Sequence, residues 1–171
     1  MGKVQNVFGY GSPGTVTRSA DNIIISVRNA SEEDIPYGAP VFLDGGGAVP
    51  FSLSSPQEFS AFLGFAVRVA DKTPDEYPWG SEALNPEQFS QQAAWHPGDV
   101  MEVLVRGALC VRTAAAANLG DPVYIRKTDG KLTSIAGSAG TSVQLENVHV
   151  RARRDALTNT TEVVVTERNI L

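Results

Sequence analysis

The run VMEVLVRGALCVR, residues 100–112, is the longest of seven strand-like runs in the chain, and its reading decides the fold class. The others are NIIISVRN (22–29), PVFL (40–43), FLGFAVRVA (62–70), PVYIRK (122–127), VQLENVHVRA (143–152) and TEVVVTERNI (161–170). All are rich in β-branched or aromatic residues, which suit a pleated, half-buried surface. In 143–152, Val143, Leu145, Val148 and Val150 alternate onto one apolar face, with a register change expected near Asn147. Runs of this kind, separated by Gly, Pro, Asp and Ser clusters, predict an all-β domain: a compact β-barrel or a jelly-roll-like sandwich.

Helix has little room. NPEQFSQQAAW (85–95) opens with an Asn cap and a first-turn proline, and TAAAANLG (113–120) is an alanine-rich stretch closed by a glycine, so each predicts a short helix within a loop. Two stretches read as copies of one unit. YGAPVFLDGGGAVPF (37–51) and LGDPVYIRKTDGKLT (119–133) share a glycine, a strand-opening proline and a Val-aromatic-aliphatic run, offset by 82 positions from Gly38 to Gly120. FLDGGGAVPF (42–51) predicts a wide hairpin tip, and Asp129-Gly130 is a two-residue hairpin signal. The expected organisation is a flexible N-terminal arm, 1–19, and one domain, 20–171. That domain contains two related β units, about 20–70 and 100–171, joined by a long loop, 71–99.

Composition narrows the function. A formal net charge of −5 suits a polyphosphate backbone poorly, and RARR (151–154) lacks interleaved aromatics, so nucleic acid is not an expected partner. No segment is apolar for long enough to span a bilayer as a helix, and no membrane partner is expected. MGKVQNVFGYG has no secretory-signal pattern, which predicts a protein made in the cytoplasm. The single cysteine, Cys110, lies in an apolar run and reads as a buried small hydrophobe. His96 and His149 stand apart from it, so neither a zinc set nor a nucleophile–base pair is visible. The acidic clusters at Glu32-Glu33-Asp34 and Asp75-Glu76 lack the spacing of a calcium loop. The expectation is no catalytic residue, no metal and no cofactor.

GYGSPGTVTRSADN (9–22) superficially matches a phosphate loop, yet no strand feeds it and no helix follows. It reads as a glycine-slackened tether.

Residues 96–132, HPGDVMEVLVRGALCVRTAAAANLGDPVYIRKTDGKL, resemble the tailed-bacteriophage capsid cement, or head decoration, proteins. The resemblance rests on Pro97-Gly98, Val103 with Val105, Arg106-Gly107, Val111, Gly120-Asp121-Pro122-Val123-Tyr124 and Asp129-Gly130-Lys131-Leu132. The glycine-rich entrance and IPYGAPVFLDGG (35–46) are similar to the family's N-terminal segment and early hairpin, while the charged stretch 68–83 departs from its pattern. The resemblance implies a structural protein of a phage or prophage virion, made in the bacterial host cytoplasm. It would sit on the outer capsid surface and cement neighbouring major capsid protein subunits without catalysis. It also implies a homo-oligomer matched to a local symmetry axis, with a trimer favoured over a dimer. On that reading the arm contacts fall on Phe8, Tyr10, Pro13, Val16 and Arg18, and lateral contacts on Tyr77, Trp79 and Trp95.

A second class stays open. Tyr77, Trp79 and Trp95 could form the platform of a tail-associated or glycan-binding β-domain. A small β-barrel enzyme is the third reading and has the least sequence support.

Overall fold

The computed structural model describes residues 11–17, 21–52, 61–69, 94–138, 140–155 and 158–169. These residues hold eleven strands and no helix: β1 (Ile23–Arg28), β2 (Ile35–Pro36), β3 (Pro40–Asp44), β4 (Gly47–Pro50), β5 (Phe62–Ala66), β6 (Ala94–Trp95), β7 (Val100–Arg112), β8 (Pro122–Arg126), β9 (Leu132–Thr133), β10 (Ser142–Val150) and β11 (Thr160–Val165). Nine form one antiparallel sheet in the order β4-β3-β5-β7-β11-β10-β8-β9, with β1 also on β7; β2 and β6 form a separate pair. The sheet does not close, so the barrel alternative is corrected and the sandwich-like one kept.

Strand β7 is the spine of the sheet. The N-terminal half of β7 pairs with β1 and β5, and its C-terminal half, Gly107–Arg112, pairs with β11. Gly107 (φ 118°) marks the transition, where a Cβ would collide with the Asn22 side chain. One strand thus serves both halves of the sheet. Their facing side chains make the main core: Phe42, Phe62, Phe65 and Leu104 from one half meet Leu109, Val123, Ile125, Leu145, Val148 and Val163 from the other. The phenylalanines pack edge-on, Phe62–Phe65 at 5.4 Å and Phe42–Phe62 at 5.8 Å between centroids. The alternate residues, Val41, Leu63, Ala66, Met101, Val103 and Val105, form a second core with Ile35 and Trp95 of the small β2–β6 pair. Alternation of side chains supplies both cores from the same strands, with one step in β5, where Phe62 and Phe65 share a face across the register shift opposite Val41 and Phe42.

The two similar stretches pair in similar ways. β3 and β8 each open on a proline after a positive-φ glycine, Gly38 (76°) or Gly120 (85°), and each pairs with the strand that follows its hairpin, β5 or β10. The hairpin tips differ from expectation. β3–β4 turns tightly through Gly45-Gly46, because both glycines take positive φ and Asp44 faces Gly47. The Asp129-Gly130 connection is the longer one, closed by Arg126 N–H donating to the Lys131 carbonyl at 3.0 Å.

The expected register change in β10 is present: the pairing with β8 shifts between Gln144 and His149, and Asn147 has φ 60°. The helix expected over 113–120 is absent. Its backbone bonds outward instead: Ala114 N–H donates to Leu132 O and Arg154 N–H to Ala117 O, while the Asp121 carboxylate accepts from Asn118 N–H. Tertiary partners win over alanine's helix propensity. Of the helix expected over 85–95, residues 85–93 lie outside the described residues, and Ala94-Trp95 is strand β6.

Candidate functional site

Described residues of the expected arm lie along β7. Gly14 N–H donates to Cys110 O (2.8 Å), Cys110 N–H to Thr15 O (2.9 Å) and Thr17 N–H to Ala108 O (2.9 Å), and Val16 bridges to Leu109. Two residues past the end of β5, Arg68 N–H donates to Gly14 O at 2.9 Å. Segment 11–17 therefore completes the edge of β7 left open beyond β5. The Thr17 hydroxyl adds a 2.5 Å bond to the Glu162 carboxylate of β11.

Of the residues expected to make contacts, Phe8, Tyr10, Arg18, Tyr77 and Trp79 lie outside the described residues. Val16 is half-buried and packs against the main core of its own chain. Trp95 needs correction as a surface contact. Its side chain is 4% exposed, its indole N–H donates to Val67 O at 3.0 Å, and its ring meets Tyr37 edge-on at 6.1 Å. An indole with its polar edge satisfied inside the fold packs inward. Pro13 alone among the three reaches an open concavity.

That concavity is a groove of about 600 Å³ at the C-terminal end of β7. Pro13, Pro36 and Pro40 shape part of its wall, and Arg68, Arg112, Arg126, Lys131 and Arg154 bring cationic side chains to it. Arg154 is held by its Nε donating to Thr113 O (3.1 Å) and by Nη2 donating to the Asn159 side chain. Arg126 is held by both Asp129 oxygens, at 3.1 and 2.5 Å. The Arg68 guanidinium lies 5.8 Å from the centroid of the Tyr37 ring.

The sequence reading missed this convergence. Its one signal is that Arg112 and Arg126 close strand runs while Arg68 and Arg154 follow them closely, and antiparallel pairing brings distant run-ends together. The reading also passed over Val100, Leu119 and Ile135, large apolar residues that are exposed in this chain.

Chemistry at the sequence-flagged groups is limited. Burial, helped by the Glu162 carboxylate, pushes the Cys110 thiol up to about 11, so it is no nucleophile near neutral pH. His96 Nδ1 lies 2.8 Å from Asp34 Oδ1 on the exposed surface. Among the described residues no group of three or more His, Cys, Asp or Glu could hold a metal ion.

A family model described as a phage structural cement protein (E217 gp24/Pam3 gp6) matches residues 2–167. A chain from the capsid of Myoviridae phage XM1 has a similar fold, with a TM-score of 0.67 at 19% identity over 98% of this chain and 99% of that one. No curated protein sequence matches the chain.

Proposed function

The chain belongs to the phage structural cement protein family, and from that membership we propose that it lies on the outer shell surface and ties neighbouring major capsid protein subunits together. It is a structural virion protein with a capsid-cementing role. The observation that carries the finer reading is the extent of the match, residues 2–167, which takes in the N-terminal segment along with the sheet. A cement that touches several subunits at once multiplies modest contacts through effective concentration. Segment 11–17 is fixed to β7, and Phe8 and Tyr10, just before it in the sequence, are the favoured anchors on a neighbouring subunit. The protein acts without catalysis, and a homotrimer over a local symmetry axis is the favoured assembly.

Adding the purified protein to capsids assembled without it tests the reading. It should co-sediment with the shells and raise the temperature at which they rupture, and light scattering should give a trimer mass. Failure to co-sediment would overturn the proposal, whereas a dimer mass would correct the symmetry alone.

A further inference from the structure

We propose that the cationic groove at the end of β7 is a docking site for an acidic, extended polypeptide segment of a capsid subunit, an inference that rests on the cement reading. The chain as a whole carries 19 acidic against 14 basic side chains, yet five of those basic side chains line this one concavity and no aspartate or glutamate does so among the described residues; Asp129, beside the lining, pairs with Arg126 and Lys131 and offsets only part of that charge. Such local inversion of charge is a recognition feature, because like charges brought together cost energy unless a counter-charge arrives.

The side chains are also prepared for carboxylates. Arg154 and Arg126 are each clamped in place by two hydrogen bonds, which leaves further N–H groups of their guanidinium forks to donate elsewhere. The Arg68 guanidinium makes no hydrogen bond or ion pair among the described residues and lies against the Tyr37 ring. The Thr113 hydroxyl, in the same lining, is buried and has no hydrogen-bond partner among the described residues.

Polypeptide is favoured over nucleic acid for three reasons. Among the described residues the only aromatic in the lining is Tyr37, 7% exposed, so they present no stacking platform to a base. The groove is compact, at about 600 Å³, rather than a track along a phosphate backbone. Its prolines offer apolar walls between the charges, which suit the stem of a glutamate or an extended main chain.

The test uses the full chain and fluorescein-labelled hexaglutamate, with hexaglutamine and a thymidine hexanucleotide as comparison probes, read by anisotropy at low salt. Hexaglutamate should bind, hexaglutamine should not, and the double variant Arg68→Gln/Lys131→Gln should weaken hexaglutamate binding about tenfold with an unchanged thermal unfolding profile. If the double variant fails to fold, Lys131→Glu alone serves, since that side chain is 67% exposed on a hairpin. Tighter binding of the thymidine probe, no binding of hexaglutamate, or binding indifferent to these substitutions would overturn the proposal. Co-sedimentation with capsids separates the two readings. Wild-type protein that binds shells while the groove variant binds equally well sinks the groove and spares the cement role. Wild-type protein that binds no shells sinks the cement role and, with it, the assignment of the groove to a capsid subunit.

Discussion

Gly38 and Gly14 touch backbone to backbone: a Cβ added to Gly38 would stand 2.8 Å from the Gly14 amide nitrogen, and one added to Gly14 would stand 2.9 Å from the Tyr37 Cβ. The N-terminal segment can reach the β2–β3 corner only because neither residue carries a side chain. Both also sit at positive φ, 76° and 81°.

That contact separates two glycines the sequence presents as equivalent. Gly38→Ala should cost about 2–4 kcal/mol, combining the left-handed backbone penalty with displacement of segment 11–17. Gly120→Ala, at φ 85° with nothing within 4 Å of the added methyl, should cost only about 1–2 kcal/mol. Urea unfolding of the two variants checks this; equal losses would mean that the close approach contributes nothing.

Truncation should divide the N-terminal region in two. Removing residues 1–19 strips β7 and Arg68 of four main-chain hydrogen bonds, and at about 0.5–1.5 kcal/mol each the loss should exceed 2 kcal/mol. Removing only residues 1–10 leaves those bonds in place and should hold the unfolding midpoint while weakening capsid co-sedimentation. A 1–19 deletion as stable as the full chain would show that the docked segment adds nothing to the fold.

This division marks where sequence reading reaches and where it stops. β7 was legible from end to end because its apolar pattern is intrinsic to one stretch, and the hairpin copies were legible because glycine and proline impose local geometry. The docking of Gly14 on Gly38 was not, since it pairs backbones 24 residues apart through an absence of side chains. The loss of the 113–120 helix follows the same rule. Alanine favours helix by a few tenths of a kcal/mol per residue, and a handful of tertiary hydrogen bonds outweighs that. Convergence of Arg68, Arg112, Arg126 and Arg154 depends on strand order, which no single run encodes.

Stability should fall in alkali through Cys110. Its folded-state thiol lies at about 11, above the ordinary thiol value, because burial disfavours the thiolate. Below about pH 8.5 the thiol is protonated in both states and the contribution is intact. As pH rises toward 11 the unfolded chain gives up its proton first, and about 2–3 kcal/mol is lost. The Tyr37 phenol, raised chiefly by burial, pushes in the same direction. The urea midpoint should therefore drop between pH 8 and pH 10.5, and Cys110→Ala should shrink that drop. An undiminished drop in the variant would assign the effect elsewhere.

The fold buries the Thr113 hydroxyl beside the groove. Thr113 is 4% exposed and its main chain is fully engaged, its N–H donating to Asn159 O and its carbonyl accepting from Arg154. Its side-chain oxygen has no partner among the described residues. Burying an unpaired hydroxyl is unfavourable, so the near-isosteric Thr113→Val should stabilise the chain by about 1 kcal/mol. The expected cost is in binding: if the hydroxyl is kept for a ligand of the cationic groove, the same variant should hold hexaglutamate more weakly even as it unfolds at higher urea. Opposite movement of the two readouts distinguishes a group retained for binding from one retained for packing. A variant that loses stability would show instead that the hydroxyl has a partner in the folded chain.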